Sequence, residues 1–321
     1  MDKLNVAVIG AGIMGKNHAR VFSELPNVVL TAICDTDLKN GEALANKYGC
    51  KFYSDYNELL LNENITAVSI AVPTYLHHKV SMDILNKGIH VLLEKPIATT
   101  SDEAVKIIKK AREKGVVLMV GHIERFNPIV RKLAEIVASG KFGKVISINV
   151  RRLGGLPPQT KNANVILDLA IHDIDIANYL LGELPVDIYA NKSKAVLKDQ
   201  EDNAFILLKY PTSSAYIEVN WLTPAKIRVL DITGTKAFAR LDYIDQKMTL
   251  YENGHFANGL YKDFEEFRAK FYSPKITNIE LVKEEPLKCE IKEFVSAVLE
   301  KREPSFKPED ALRALEVALR I

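Results

Sequence analysis

The chain has 321 residues, 47% of them hydrophobic and 26% charged, with a formal net charge of +2. This is long enough for two domains with separate cores, and the composition excludes a disordered or collagen-like chain. So small a charge gives no support for a nucleic-acid or membrane surface, and no apolar run approaches the roughly 18 residues of a spanning helix. In chain order, the β-formers Val6 to Ile9 lead into Gly10-Ala11-Gly12-Ile13-Met14-Gly15, and Lys16 to Phe22 reads as a helix. Strand, tight turn and helix start are the setting in which G-x-G-x-x-G marks a dinucleotide site. Gly10 permits the turn, Gly12 lets a pyrophosphate approach the backbone, and Gly15 lets the helix lie close on the strand. The amides of the first helical turn then face the anion. A second apolar run, Val28 to Cys34, ends in Asp35, about 20 residues past the last glycine, where a carboxylate accepts the ribose hydroxyls of NAD. A glycine motif that merely makes a tight turn is the alternative; the placing of Asp35 argues against it.

The alternation continues to about residue 121. Helices are expected at Leu38–Tyr48, Tyr56–Leu61, Leu76–Lys87 and Ala104–Lys114, and strands at Lys51–Tyr53, Ala67–Val72, Ile89–Leu93 and Val116–Val120. Short apolar strands separated by helices imply a parallel sheet covered on both faces, and ligands of such sheets lie beyond the carboxyl ends of the strands. Val72, Pro73, Thr74 and His77 follow one such end, and Glu94-Lys95-Pro96 follows another. The expected cofactor contacts are therefore Gly10, Gly12, Ile13, Met14, Gly15, Asp35, Val72, Pro73, Thr74, His77, Glu94 and Lys95. His77 and His78 are no metal pair, since adjacent helical residues point about 100° apart and no ligand cluster accompanies them. Lys95 is either a functional ammonium or a surface lysine whose stem lies along apolar neighbours.

Past Gly121 the pattern changes. Arg125-Phe126-Asn127-Pro128 is expected to begin a helix running to about Ser139-Gly140, followed by a strand from Lys144 to Arg152 and a turn-rich loop over 153–164. The next helix, Val165–Leu181, is apolar almost all round, as in a buried helix, yet carries Asp168, His172 and Asp175. At 100° per residue these three fall within roughly 60° of one another while Asp173 points away. Titratable groups on a buried helix are costly unless paired or functional, so the stripe is either a catalytic face or an internal ion-pair network. Strands then follow at Val186–Ser193, Ala204–Tyr210, Ala215–Trp221, Arg228–Thr233, Ala237–Asp242 and Met248–Glu252. Their close spacing implies a largely antiparallel sheet with one face open to a partner subunit. The aromatic-rich segment 259–286 reads as an interface or lid, and Leu287–Lys301 and Glu309–Ile321 as closing helices. The expected fold class is α/β: a Rossmann domain over 1–121, then an α+β domain over 122–321 for substrate binding and oligomerisation.

Gly10-x-Gly12-x-x-Gly15, Glu94-Lys95-Pro96, Gly121-His-x-x-Arg125-Phe and Asp168-x-x-x-His172-x-x-Asp175 together resemble the Gfo/Idh/MocA family of NAD(P)-dependent sugar and polyol dehydrogenases along essentially the whole chain. The resemblance implies that Lys95, Asp168 and His172 are catalytic and meet at the reacting carbinol, and that Pro96 is cis. The residues around Gly121 and Asp168 are similar to those of family members that oxidise C3 of UDP-N-acetylglucosamine, which implies a sugar nucleotide as substrate. A free sugar or polyol is the alternative substrate, and a dinucleotide-sensing regulator without turnover the alternative function. The chemistry stands on the residues too. A histidine, with an ordinary pKa of about 6.5, suits the removal of a hydroxyl proton at neutral pH. Lys95 would stabilise the alkoxide, Asp168 would orient the imidazole, and Arg125 would grip phosphate or sugar oxygens unless it forms a surface ion pair. NAD is the expected cofactor, with no metal, nucleic acid or membrane partner and with a homodimer or homotetramer formed through the second sheet. Scattered Cys34, Cys50 and Cys289 and an N-terminus that reads straight into a strand suggest a reducing, cytoplasmic setting.

Overall fold

The computed structural model describes residues 3–156, 164–252, 262–266 and 274–321. They form two compact units that are not contiguous in sequence: one comprises the described residues up to Phe126 together with Glu284–Arg320, the other the described residues of 127–283. The expected division at 121/122 thus misplaces the end of the chain, because the closing helices pack on the first unit.

The first unit is a parallel sheet of six strands: β1 Leu4–Ile9, β2 Val28–Cys34, β3 Lys51–Tyr53, β4 Ala67–Ile70, β5 His90–Leu93 and β6 Leu118–Val120. They lie in the order β3-β2-β1-β4-β5-β6, with Val6, Val8, Val68, Ile70, Val91 and Leu92 fully buried. The helices are α1 Ile13–Glu24, α2 Leu38–Tyr48, α3 Tyr56–Asn62, α4 His77–Asn86 and α5 Ser101–Lys114. Their ends follow local chemistry: Thr100 caps α5 by accepting from Glu103 N at 3.3 Å, and Glu103 reaches back to Thr99 N at 3.2 Å, which satisfies one amide of the first turn and one just before the cap.

In the second unit, α6 Pro128–Ala138 is capped by Asn127, and α7 Ile171–Leu181 lies over the sheet. The sheet comprises β7 Val145–Leu153, β8 Asp187–Ser193, β9 Asn203–Lys209, β10 Ser214–Asn220, β11 Ile227–Gly234, β12 Ala237–Asp242, β13 Lys247–Glu252 and β14 Lys275–Glu280. The order is β14-β13-β12-β11-β7-β10-β9-β8. Every neighbouring pair is antiparallel except β7 with β10. The covered face carries Ile148, Val150, Ala215, Ile217, Ile206 and Leu208, all buried; Tyr189 of β8, Phe205 of β9 and Tyr216 of β10 are about half exposed. β14 falls within the segment read as interface or lid. An edge strand with charged ends and mostly exposed positions has little apolar alternation to betray it. The remainder of that segment, and the loop at 153–164, lie in part outside the described residues.

The chain closes with α8 Pro286–Leu299 and α9 Pro308–Leu319. Leu287, Ile291, Phe294, Val295 and Val298 make an apolar stripe on α8, buried at the i, i+4, i+7, i+8 spacing of one helix face. It packs on α1 and on the 3-10 turn Ile123–Phe126, while α9 packs on α5 and β6. Lys288 pairs with Glu24 at 2.7 Å and Arg112 with Glu309 at 2.6 Å. Among the described residues no helix is long and apolar enough to cross a membrane.

Candidate active site

In the first unit the glycine loop joins β1 to α1. Gly10 has φ +101°, and a Cβ there would lie 2.4 Å from the Ala71 carbonyl oxygen; one on Gly15 would lie 1.8 Å from the carbonyl oxygen of Gly10. Both positions therefore demand glycine for packing, whereas a Cβ on Gly12 would meet nothing within 4 Å. No side chain caps α1 at Gly12, so the amides of its first turn remain available to an anion. At the end of β2, one Asp35 carboxylate oxygen accepts from Ala11 N and the other from Asp37 N at 2.8 Å. Each oxygen keeps a further lone pair, so the carboxylate is pinned beside the loop and can still accept from ribose hydroxyls. The open Gly12, the uncapped helix and the oriented carboxylate fit a dinucleotide.

Val72, Pro73 and Thr74 follow β4, where Thr74–Leu76 forms a 3-10 turn ahead of α4. His77 is buried, and its ring nitrogens face the Pro96 and Val72 carbonyl oxygens at 2.8 and 3.0 Å. Its polar atoms thus hold two loops together within the protein. Burial pushes its pKa below the usual histidine value, against the two carbonyls that favour the protonated ring. The Lys95–Pro96 peptide is cis, and Lys95 is half-buried between the buried Glu94 and Pro96.

Sequence reasoning missed the group beneath this loop. His18 of α1, Ser69 of β4 and Glu94 are all buried. His18 Nδ1 lies 2.6 Å from Ser69 Oγ, and Nε2 lies 3.0 Å from Glu94 Oε1. Glu94 Oε2 accepts from Lys95 N at 3.1 Å. Burial alone would raise the Glu94 carboxyl, but the His18 hydrogen bond and charge, with Lys95, hold it below the ordinary carboxylate range. Glu290 of α8 is also fully buried, and burial, with the Glu94 charge, pushes its carboxyl well above that range. The missed signal was a histidine sharing the buried face of α1 with Gly15, Ala19 and Phe22. Arg125 stacks its guanidinium over the Phe306 ring, 5.1 Å from the centroid.

In the second unit the expected helix from Val165 to Leu181 is two structures: Ile166–Ala170 forms a π-turn and α7 follows. Ile171 N donates to Ile166 O across five residues, a widening found frequently at functional sites. Asp168 lies within the π-turn, and His172 and Asp175 are buried on α7. In a widened turn, residues four apart complete nearly one revolution, so Asp168 and His172 share one side of the helix. Asn164 secures the turn: its side chain accepts from Leu167 N at 3.0 Å and donates to Glu201 at 3.0 Å. Asp173 points elsewhere, as the periodicity requires. It takes two hydrogen bonds from Arg152 of β7 at 2.8 and 2.7 Å, and Arg152 lies over the Tyr243 ring. Among the described residues no group of three or more His, Cys, Asp or Glu side chains is placed to hold a metal ion.

Comparison with known proteins decides the family. Residues 4–122 match the oxidoreductase family with an NAD-binding Rossmann fold, and residues 130–240 match the GFO/IDH/MocA C-terminal domain. The chain belongs to the Gfo/Idh/MocA oxidoreductase family. Its first unit is an NAD-binding Rossmann domain. The chain is 26% identical to the UDP-N-acetylglucosamine 3-dehydrogenase of Acidithiobacillus ferrooxidans over 322 residues, covering 100% of this chain and 97% of the relative. The solved structure of that enzyme aligns with a TM-score of 0.87 at 26% identity, over 100% of this chain and 97% of the other. Inositol 2-dehydrogenase 2 of Saccharopolyspora erythraea is 30% identical over 213 residues, 64% of this chain and 63% of the relative. The 2,7-anhydro-N-acetylneuraminate hydratase of Mediterraneibacter gnavus is 26% identical over 271 residues, 79% and 71% of the two chains.

Proposed function

We propose that this oxidoreductase is a sugar dehydrogenase that oxidises a secondary alcohol of a sugar nucleotide, at C3 of UDP-N-acetylglucosamine. The observation that carries the reading is the likeness to a UDP-N-acetylglucosamine 3-dehydrogenase over 100% of this chain, in sequence and in fold. NAD, when bound, supplies the acceptor for the hydride. His172 takes the hydroxyl proton on a ring nitrogen, and Asp168, on the same side of the helix, orients the imidazole. The Lys95 ammonium stabilises the negative charge that develops on the alcohol oxygen. Arg125 offers its fork to phosphate or sugar oxygens from its seat on Phe306. The open face of the second sheet, with Tyr189, Phe205 and Tyr216, joins copies into a dimer or tetramer, which sedimentation of the purified protein measures.

The inositol dehydrogenase likeness supports a second reading, a free polyol or sugar as substrate. One panel separates the two: NAD with UDP-N-acetylglucosamine, other nucleotide sugars, free sugars and inositols, read by NADH absorbance and product mass. Oxidation yields a product lighter by two hydrogens, whereas a net hydration, as the hydratase relative's name describes, yields one heavier by a water. Reduction of the product with borodeuteride should place deuterium at C3; deuterium at another carbon refutes the regiochemistry. His172→Asn should lower turnover by roughly 10²–10⁴ and lose the acid limb of the pH profile. An unchanged acid limb would transfer the base to Asp168.

A further inference from the structure

Strands β1 and β4 are apolar and buried throughout their central residues except for Ser69, and α1 turns one polar ring, His18, into the same layer. Packing alone does not call for this arrangement, since an apolar replacement of a buried polar pair is often no less stable. The chain of contacts has a direction. Ser69 Oγ meets His18 Nδ1, His18 Nε2 meets Glu94 Oε1, and Glu94 Oε2 accepts the backbone N–H of Lys95. The imidazolium satisfies all three groups by donating at both nitrogens; the neutral ring does so with Ser69 donating to Nδ1.

Two further contacts bound the same segment. Glu94 N donates to Ile70 O at 3.0 Å, which fixes where the carboxylate starts. His77 Nδ1 meets the Pro96 carbonyl at 2.8 Å, which fixes the chain beyond the lysine. A Cβ on Gly121 would come within 3.2 Å of the Glu94 carboxylate, so a side chain there would crowd those oxygens.

We propose that Glu94 is a positioning residue for Lys95: its carboxylate, aimed by the buried Ser69–His18 pair, holds the lysine amide so that the ammonium leaves the backbone in one orientation. The proposal rests on the reading of Lys95 as the group that stabilises the alcohol oxygen. Glu290 supports the division of charge. Of the two buried carboxyls, Glu290, whose oxygens meet no hydrogen-bond donor among the described residues, is the one pushed toward its neutral form, leaving Glu94 as the ion that His18 and the lysine amide address.

The test uses full-length protein with its lysines reductively methylated with 13C, and the Lys95 signal assigned by its loss in Lys95→Arg. In Glu94→Gln without cofactor, the Lys95 methyl resonance should shift or split, with the unfolding midpoint close to wild type. The same variant should bind NAD within about threefold of wild type and lose roughly tenfold to a hundredfold in kcat, with KM for the alcohol moving far less, as expected of a misplaced group. Ser69→Ala should show the same pattern more weakly and Ser69→Thr should restore it, so the proposal stays testable if Glu94→Gln does not fold. A Lys95 resonance and kcat unchanged in folded Glu94→Gln, or in Ser69→Ala where that variant stands in, would overturn it. If Lys95→Met keeps full turnover while Glu94→Gln still moves the Lys95 resonance, the positioning stands and the role given to the lysine fails.

Discussion

Arg152→Ala breaks one side of a bidentate ion pair whose side chains are 5% and 0% exposed. The Asp173 carboxylate is then left in the interior without its guanidinium, which costs roughly 3–5 kcal/mol. Arg152 also leaves the Tyr243 ring, whose centroid lies 5.1 Å from the guanidinium carbon; such a contact is worth on the order of 0.5–2 kcal/mol. The two losses share the same desolvated guanidinium, so a total of about 4 kcal/mol is expected rather than their sum. At about 2–4 °C per kcal/mol for a body of 150–250 residues, the second unit should melt about 8–16 °C lower. Trp221 is the single tryptophan, is buried, and belongs to that unit, so its fluorescence on heating reports the affected unit selectively. The double variant Arg152→Met/Asp173→Leu should recover most of the loss, because apolar groups of similar volume replace the pair without stranding a charge. A shift under about 2 °C in Arg152→Ala, or a double variant no better than the single one, would refute this account.

Asp35→Ser should erode the preference for NAD over NADP, since the carboxylate repels a 2′-phosphate and Thr36-Asp37 offers no arginine to receive it. Wild-type kcat/KM equal or higher with NADP would contradict this. Lys95→Met should bind NAD as wild type does by calorimetry and lose about 10²–10³ in turnover; turnover within about threefold of wild type would make the lysine a bystander. Glu290→Gln should change the pH dependence of stability. A carboxyl whose folded pKa is raised binds more protons folded than unfolded, so its contribution falls as pH rises above the ordinary value of 4.5. The variant should therefore gain on wild type between pH 4.5 and neutrality, as measured by urea midpoints; a difference independent of pH would show that Glu290 does not titrate there.

Much of the first unit is legible because its signals are local. Each apolar run is bounded by a turn or cap within a few residues, and the loops that follow β1, β2, β4 and β5 carry the expected residues in order. The π-turn was illegible because widening a helix by one residue leaves the composition of Ile166–Ala170 unchanged and only shifts the phase against which periodicity is counted. β14 lacked a buried face to read. The return of α8 and α9 to the first unit depends on contacts between residues far apart in sequence, such as Arg20 with Glu285, which no window of neighbouring residues contains. Asp173 shows periodicity succeeding on a regular helix: the spacing sets it off the stripe, and its carboxylate pairs with Arg152.

Because Glu284–Arg320 completes the first unit, a ribosome making this chain delivers six Rossmann strands long before the helices that cover them. The apolar surfaces of α1, α5 and β6 that α8 and α9 bury stay open while the whole second unit is translated, whereas that unit has its own core in hand earlier. Joining α8 to α1 closes a loop of well over two hundred residues (Arg20 to Glu285), the kind of distant contact that slows folding and exposes intermediates to aggregation. In a nascent chain, the nucleotide-binding half that emerges first is thus the half that matures last.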